Sequence, residues 1–319
     1  MVPWAAILLL LCTGCGGPAL VDSEDAALRA TAFEQFGGGF KPRDAPWGGF
    51  GGGACKPART PVLFLHGNSE RAGDWNRSSS AGGRSVYAEF IRAGYQPCEL
   101  FGLTWLSPLQ QATQQDNVHD AGKARRVGAF IADVLAYTGG GQIDLIGHSM
   151  GVTVGMHALD YNHQWPAARR IVAIAGALRG LQSCVPYGPA DPFFPVCGGQ
   201  NLFDPELFGF YPAYNQRMQA GGFSARAAQH PTTRFAAITA GASDEFLCPG
   251  CSPGLFDSAP GVSAQLDVGV GAPLALAHDD SGGVGHFRAR TDTGRIQVNL
   301  LTTSCAGAAC CAGYAGSCR

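Results

Sequence analysis

The feature that most constrains the fold is a repeated alternation of short apolar runs with longer amphipathic stretches. Short continuous apolar runs are typical of strands buried on both faces, whereas apolar side chains at helical spacing indicate helices. The predicted strands cover residues 61–65, 99–103, 142–146, 170–175, 235–239 and 262–268, and the predicted helices lie at 83–93, along 127–135, at 149–161 and at 295–301. Strands alternating with helices of this length predict an α/β fold with a mostly parallel central sheet.

The N-terminus is predicted to be a targeting segment over residues 1–21. Its apolar run, residues 5–11, is too short to span a bilayer and is followed by small residues, as in a secretory signal peptide. The run lacks a leading Lys or Arg, and a buried N-terminal helix is the alternative. Thr13-Gly14-Cys15 also resembles the end of a lipoprotein cleavage box, although Cys12 replaces the usual leucine. The expected localisation is therefore secreted, with anchoring through Cys15 as an open alternative.

The remaining chain divides into two predicted parts. Residues 22–54, which include "GGGFKPRDAPWGGFGGG", are expected to form a Gly-rich arm or linker that buries little. Residues 55–319 are expected to form one domain, interrupted at about 178–230 by an insert rich in Pro, Gly and aromatic residues. Its aromatic-rich part, residues 186–214, is interpreted equally well as a lid or docking surface for an apolar substrate or as a hydrophobic packing flap.

Ten of the 12 cysteines follow the predicted signal peptide, and an even number in an exported chain indicates a disulfide framework. Cys248 and Cys251 have the spacing of zinc ligands, but a second such pair is absent, so oxidised cysteines are favoured. The net charge is −2, and the densest basic cluster is only Lys123-Ala-Arg-Arg126. This charge distribution argues against nucleic acid as a partner.

The stretch "DLIGHSMG" places Ser149 in a G-x-S-x-G pattern, which is typical of a nucleophilic serine on a strand-to-helix turn. In a chain with 46 glycines the pattern alone is weak. A serine hydroxyl needs a base within hydrogen-bond reach and an acid that orients the base. On a sheet of this type the acid and then the histidine follow the serine in the chain.

The sequence offers one favoured acid and one favoured base. Asp244 directly follows a predicted strand, and its neighbour Glu245 is the rival; Asp257 and Asp267 fit less well. His286 lies in the Gly-rich loop "GGVGHF" and is preferred to His278, which precedes two aspartates. The other histidines are interpreted as structural or badly placed: His66, His119, His148, His157, His163 and His230.

A working serine also requires backbone N–H donors for the oxyanion. Met150 follows Ser149 at the start of a predicted helix and is expected to supply one donor. Asn68, in the His66-Gly67-Asn68 stretch after the first strong strand, is expected to supply the other. A simple turn at the end of the strand is the alternative reading of that stretch.

Eight stretches resemble the extracellular, lipase-like poly(3-hydroxybutyrate) depolymerases of the α/β-hydrolase superfamily. They are "PVLFLHGN", "SVYAEF", "GYQPCELFGLTWLS", "IDLIGHSMGV", "GALRGLQSC", "FGFYP", "TAGASDE" and "GVGHFRARTDTG". The resemblance implies an α/β-hydrolase fold with helices on both sheet faces. It also implies Ser149 as nucleophile, Asp244 as acid, His286 as base, and Asn68 and Met150 at the oxyanion. It further implies the disulfides Cys55–Cys98, Cys184–Cys197 and Cys248–Cys251, and one bridge near the C-terminus.

The resulting hypothesis is a secreted serine esterase, similar to poly(3-hydroxybutyrate) depolymerases, without a metal or organic cofactor. Its expected partner is an ester substrate presented by a polyester or a lipid surface. Two departures from the resemblance are the Gly147 that opens the serine motif and the polar segment 108–120. The alternatives are a triacylglycerol lipase, a small-ester carboxylesterase, and an inactive hydrolase-fold lipoprotein that only binds.

Overall fold

The computed structural model describes most of the chain after residue 32. The described residues are 33–78, 82–185, 193–198, 204–211, 222–244, 246–247, 254–272, 274–276 and 279–319. The predicted signal peptide, Cys15, Glu245, His278 and the Cys248–Cys251 pair lie outside these residues.

A mostly parallel sheet forms the centre of the described part. Its strands are β1 (Gly49–Phe50), β2 (Val62–Leu65), β3 (Leu100–Leu103), β4 (Ile143–His148), β5 (Ala168–Ile174), β6 (Arg234–Thr239) and β7 (Val262–Asp267). The strand order is β1-β3-β2-β4-β5-β6-β7, and all neighbours are parallel except β1 with β3. Two further strands, β8 (Leu274–Leu276) and β9 (Asp279–Ser281), form a separate antiparallel pair. The predicted parallel sheet is confirmed.

The helices connect the strands and cover both faces of the sheet. They are α1 (Val86–Arg92), α2 (Pro108–Ala112), α3 (Ala121–Thr138), α4 (Met150–Tyr161), α5 (Arg226–Gln229), α6 (Arg288–Thr291) and α7 (Gly294–Thr302). Phe64 of β2 contacts Phe90 of α1, with ring centroids 5.2 Å apart. The next residue, Leu65, lies against Gly155 of α4. Successive side chains of a strand point to opposite faces, so α1 and α4 lie on opposite sides of the sheet.

The order of the strands creates a cleft between β2 and β4. The chain runs from β2 outward to β3 and then returns to β4 on the other side of β2. In open parallel sheets, ligands bind at such a reversal, beyond the carboxyl ends of the strands. His66-Gly67-Asn68 follows β2 and Ser149 follows β4, so both predicted segments meet at this point.

The Gly-rich segment packs against the sheet, and the expectation that it buries little is wrong for residues 33–53. Phe40 and Phe50 are 3% and 2% exposed, and β1 pairs with the edge strand β3. Glu34 accepts hydrogen bonds from the Thr104 hydroxyl, at 2.7 Å, and from the Gly73 N–H, at 2.8 Å. The glycines lower the mean hydropathy of this segment, but its few aromatic rings still reach the core, which composition alone does not reveal.

Four disulfides lie in the described residues: Cys55–Cys98, Cys184–Cys197, Cys305–Cys310 and Cys311–Cys318. The first two confirm the pairing that the resemblance implied, and the C-terminal tail has two bridges instead of one. Such a set is typical of an extracellular protein. No helix in the described part of the chain has the length and apolarity needed to cross a membrane.

Candidate active site

Ser149 occupies a strained turn between β4 and α4. Its φ of 52° and ψ of −126° are unusual for a residue with a side chain. Gly147 and Gly151 flank the turn, and the neighbouring backbone leaves no room for a side chain at either position. A Cβ on Gly147 would lie 2.7 Å from the Cα of Val152, and one on Gly151 would lie 2.3 Å from the carbonyl oxygen of His66. The G-x-S-x-G pattern therefore reflects close packing of helix against strand.

His286 lies over this turn. Its Nε2 is 2.9 Å from the Oγ of Ser149, and the residue is 5% exposed. The loop that carries it is held by Asp280, whose Oδ2 accepts hydrogen bonds from the backbone N–H groups of Gly285, at 2.8 Å, and Arg288, at 2.9 Å. The loop thus aims the imidazole at the serine.

Asp244 lies on the other side of the imidazole. Both carboxylate oxygens are 3.0 Å from Nδ1 of His286, and Asp244 is 1% exposed. Its Oδ1 also accepts the backbone N–H groups of Phe246, at 3.2 Å, and Leu247, at 3.1 Å. These contacts fix the carboxylate just beyond the end of β6. The three residues selected from the sequence are therefore brought together.

The environment of His286 favours its protonated form. Burial lowers the pKa of the ring, but the charge and the hydrogen bond of Asp244, with smaller contributions from Glu70 and Asp280, outweigh it. The pKa of His286 is consequently raised above its ordinary value of 6.5. A ring in this setting can accept a proton from a hydroxyl that lies within hydrogen-bond distance.

The two residues predicted to bind the oxyanion, Asn68 and Met150, lie beside Ser149. Met150 is the first residue of α4, where backbone N–H groups have no partner within the helix. Asn68 and Met150 both line the pocket beside Ser149. The side chain of Asn68 is fixed by Asn117, which is 1% exposed and donates its amide to Oδ1 of Asn68 at 2.6 Å. Asn68 in turn donates to the carbonyl oxygen of Gln114, at 3.0 Å.

The pocket around Ser149 is a cleft that is open to solvent. Asn68, Ser69 and Gln114 form its polar rim. Its apolar wall consists of Met150, Ala177, Leu181, Val196, Phe210, Phe246 and Phe287. Phe246 packs on the ring of His286, with centroids 4.9 Å apart. Leu181 and Val196 are close in sequence to the Cys184–Cys197 disulfide, so the described part of the insert contributes directly to the wall.

The other acids and the other histidine considered in the sequence analysis either form ion pairs elsewhere or lie outside the described residues. Asp257 pairs with Arg179 at 2.9 Å, and Asp267 pairs with Arg319 at 3.1 Å. Glu245 and His278 lie outside the described residues. Among those that are described, no group of His, Cys, Asp or Glu side chains is arranged to hold a metal ion.

Sequence reasoning missed several side chains that support the site. Asn117 had no signal beyond its place in a polar segment. Glu70 follows the predicted oxyanion stretch by two residues, and Arg290 follows His286 by four, but neither spacing indicates a contact between them. Asp280 is one of the two aspartates after His278 and has no sequence signal of a role in the site, whereas it is 2% exposed and holds the histidine loop.

The sequence profile of class 2 lipases matches residues 59–204, which include β2 to β5 and Ser149. The strand order and the helices on both faces of the sheet are consistent with this match. The chain has an α/β-hydrolase fold, and part of it is similar to class 2 lipases. A search of curated proteins found no match to this chain.

Solved structures similar to this chain include two lipases and a carboxylesterase. The propeptide form of the lipase BlEst2 of Bacillus licheniformis is 16% identical over 59% of this chain and 37% of that chain, with a TM-score of 0.40. Lipase B of Aspergillus fumigatus is 16% identical over 73% and 48%, with a TM-score of 0.45. The carboxylesterase CesB of Bacillus subtilis is 12% identical over 89% and 98%, with a TM-score of 0.43. This chain thus spans less than half the length of the first two structures.

Proposed function

We propose that this chain is a secreted serine esterase that hydrolyses carboxylic esters with Ser149 as nucleophile, His286 as base and Asp244 as the acid that orients the base. One observation carries the proposal: a single buried imidazole lies within 3.0 Å of both a serine hydroxyl and a carboxylate. This arrangement stands at the floor of an open pocket with apolar walls. The match to class 2 lipases supports the same reaction class.

The first half of the reaction forms an acyl-enzyme. Oγ of Ser149 attacks the ester carbonyl carbon while its proton passes to Nε2 of His286. The carbonyl π electrons move to the oxygen, which accepts hydrogen bonds from the N–H groups of Asn68 and Met150. Asp244 stabilises the imidazolium that forms. The C–O bond to the alcohol then breaks, and His286 returns the proton to the departing alcohol oxygen.

The second half releases the acid. Water attacks the acyl carbon and gives a proton to His286, and a second oxyanion forms at the same two N–H groups. This intermediate collapses by breaking the bond to Oγ, which recovers its proton from the imidazolium. The balance is one ester and one water consumed, and one acid and one alcohol formed. No metal or organic cofactor enters these steps.

Two classes of substrate remain candidates. The sequence resemblance to poly(3-hydroxybutyrate) depolymerases favours a water-insoluble polyester, with Phe246 and the described part of the insert lining the approach. The match to class 2 lipases, together with the polar segment 108–120, favours a triacylglycerol or a small ester. Clearing of amorphous polyhydroxybutyrate granules, compared with clearing of tributyrin emulsions, separates the two. Clearing of tributyrin without clearing of granules would exclude the polyester.

The proposed nucleophile is tested with a fluorophosphonate probe, which reacts with activated serines. We expect labelling of the wild-type protein and of Ser263→Ala, and none of Ser149→Ala. Ser263 is the matched control because its hydroxyl donates to the carbonyl of Phe235 at 3.1 Å, away from the pocket. Absence of labelling in the wild-type protein would contradict the proposal and favour a hydrolase fold that only binds.

A further inference from the structure

The residue before Ser149 has an unusually buried side chain. His148 is 0% exposed, and its two ring nitrogens contact different parts of the chain. Nδ1 lies 2.7 Å from Oε2 of Glu70, and Nε2 lies 3.0 Å from the carbonyl oxygen of His286. The reaction steps proposed above use neither His148 nor Glu70. Their burial and their contacts therefore call for another explanation.

Glu70 connects three segments of the site. It is 0% exposed, and besides His148 it accepts a hydrogen bond from Nη1 of Arg290 at 2.5 Å. The backbone N–H of Gly67, in the oxyanion stretch, donates to it at 2.6 Å. Each carboxylate oxygen of Glu70 therefore has at least one hydrogen-bond donor. Glu70 thus links the oxyanion stretch, the nucleophile turn and α6, which follows His286.

The proton on His148 is constrained by its partners. A carbonyl oxygen can only accept, so the contact with His286 requires a proton on Nε2. A carboxylate also accepts, so a second proton lies between Nδ1 and Oε2. Burial outweighs the charge and the hydrogen bond of Glu70, so the pKa of His148 is lowered below 6.5. The contact with Glu70 orients the ring so that Nε2 donates to the backbone of His286.

The contact with His148 differs from the others that hold His286. Asp244 holds the ring, and Asp280 holds the neighbouring backbone N–H of Gly285. Of these three contacts, only the hydrogen bond from Nε2 of His148 originates next to the nucleophile. It ties the main chain of the base directly to the residue beside Ser149.

We propose that His148, oriented by Glu70, is a positioning residue that sets the main chain of His286 relative to Ser149. The inference rests on the proposed function. Proton transfer from a hydroxyl to a base is sensitive to the distance between them. A displacement of the base by about 1 Å can lower the rate about 100-fold. Loss of the backbone contact should slow the reaction without weakening the contact of the substrate with the pocket wall.

The experiment compares three substitutions of one residue. In His148→Gln the amide nitrogen takes the place of Nε2, whereas in His148→Asn it takes the place of Nδ1. His148→Leu has neither donor. We expect kcat on p-nitrophenyl butyrate to fall about 10- to 100-fold in the Leu and Asn variants, with KM nearly unchanged. The Gln variant should recover most of the lost kcat. A merely structural role predicts equal kcat for Gln and Asn, because each keeps one of the two hydrogen bonds.

Thr233→Val is the control for loss of a buried hydrogen bond. Thr233 donates to the carbonyl of Ala168 at 2.8 Å, at the opposite end of the sheet, and its loss should reduce stability but not kcat. Equal kcat for the Gln and Asn variants, or wild-type kcat for the Leu variant, would overturn the inference. If the Leu variant does not fold, the Gln–Asn comparison still decides. Failure of the wild-type protein to react with the fluorophosphonate would refute the proposed function instead.

Discussion

The hydroxyl of Ser149 lies 2.9 Å from Nε2 of His286, although 137 residues separate them in the sequence. The two come together because β4 ends at the serine, while the loop before α6 returns the histidine to the same edge of the sheet. Asp244 reaches this edge from β6. The proposed chemistry depends on these three chain segments ending at one place.

The activity should depend on pH through His286. The base acts in its neutral form, and its pKa is raised above 6.5, so kcat/KM should fall as the pH is lowered through a midpoint above 6.5. Asp244→Asn removes the negative charge that favours the imidazolium, so the midpoint should move to lower pH. The same change should lower kcat by about 10⁴-fold. Measured pH profiles of kcat/KM test both statements.

Asp257→Asn serves as the control for that prediction. Asp257 pairs with Arg179 and does not contact His286. Its substitution should leave the midpoint unchanged. An unchanged midpoint in an active Asp244→Asn variant would contradict the role assigned to Asp244.

Asn117 should affect catalysis through Asn68. In Asn117→Asp, a carboxylate replaces the amide that donates to Oδ1 of Asn68, and the two oxygens repel each other. We expect the backbone around Asn68 to shift and kcat to fall by up to about 100-fold. This loss should not exceed the effect of removing one oxyanion donor. The exposed neighbour Gln115 provides the control, since Gln115→Glu adds the same charge nearby. Equal kcat values for both variants would show that Asn117 does not position Asn68.

The disulfides should differ in their effect on stability according to the length of the loop that each closes. The sequence separations are 43 for Cys55–Cys98, 13 for Cys184–Cys197 and 5 for Cys305–Cys310. Chain entropy predicts losses in the free energy of unfolding of about 4, 3 and 2 kcal/mol when each pair is replaced by alanine. Denaturant unfolding measures these values. The Cys184–Cys197 variant alone should also raise KM, because the pocket wall is next to it.

Phe50 tests whether the Gly-rich segment belongs to the folded core. Its ring packs on Phe64 and Tyr87, with centroids 6.0 and 5.6 Å apart. We expect Phe50→Ala to lower the free energy of unfolding by about 3–5 kcal/mol. Phe193 is 80% exposed, so Phe193→Ala should change it by less than about 0.5 kcal/mol. A similarly small loss for Phe50→Ala would show that this segment does not stabilise the domain.

The six predicted strands agree with β2 to β7 to within two residues, because apolar runs report directly which residues are buried. The helix predicted along 127–135 is α3, which begins six residues earlier, at Ala121. The predicted strand over 262–268 and the predicted helix over 295–301 correspond to β7 and α7. The strand β1 was not predicted, since two residues flanked by glycines give no periodic signal. The helix α2 was also missed, because none of its residues is buried.

The sequence by itself determined the α/β fold and the identity of the proposed nucleophile, base and acid. These features can be read from the sequence alone: the apolar pattern of the strands, the glycines around Ser149, and the order of acid and histidine along the chain. Only the tertiary structure decided how these residues are supported. Glu70 and Arg290 are 220 residues apart, and Asn68 and Asn117 are 49 apart. A buried polar side chain can pair with any segment that the fold brings to it, so its partner is set by packing and not by spacing.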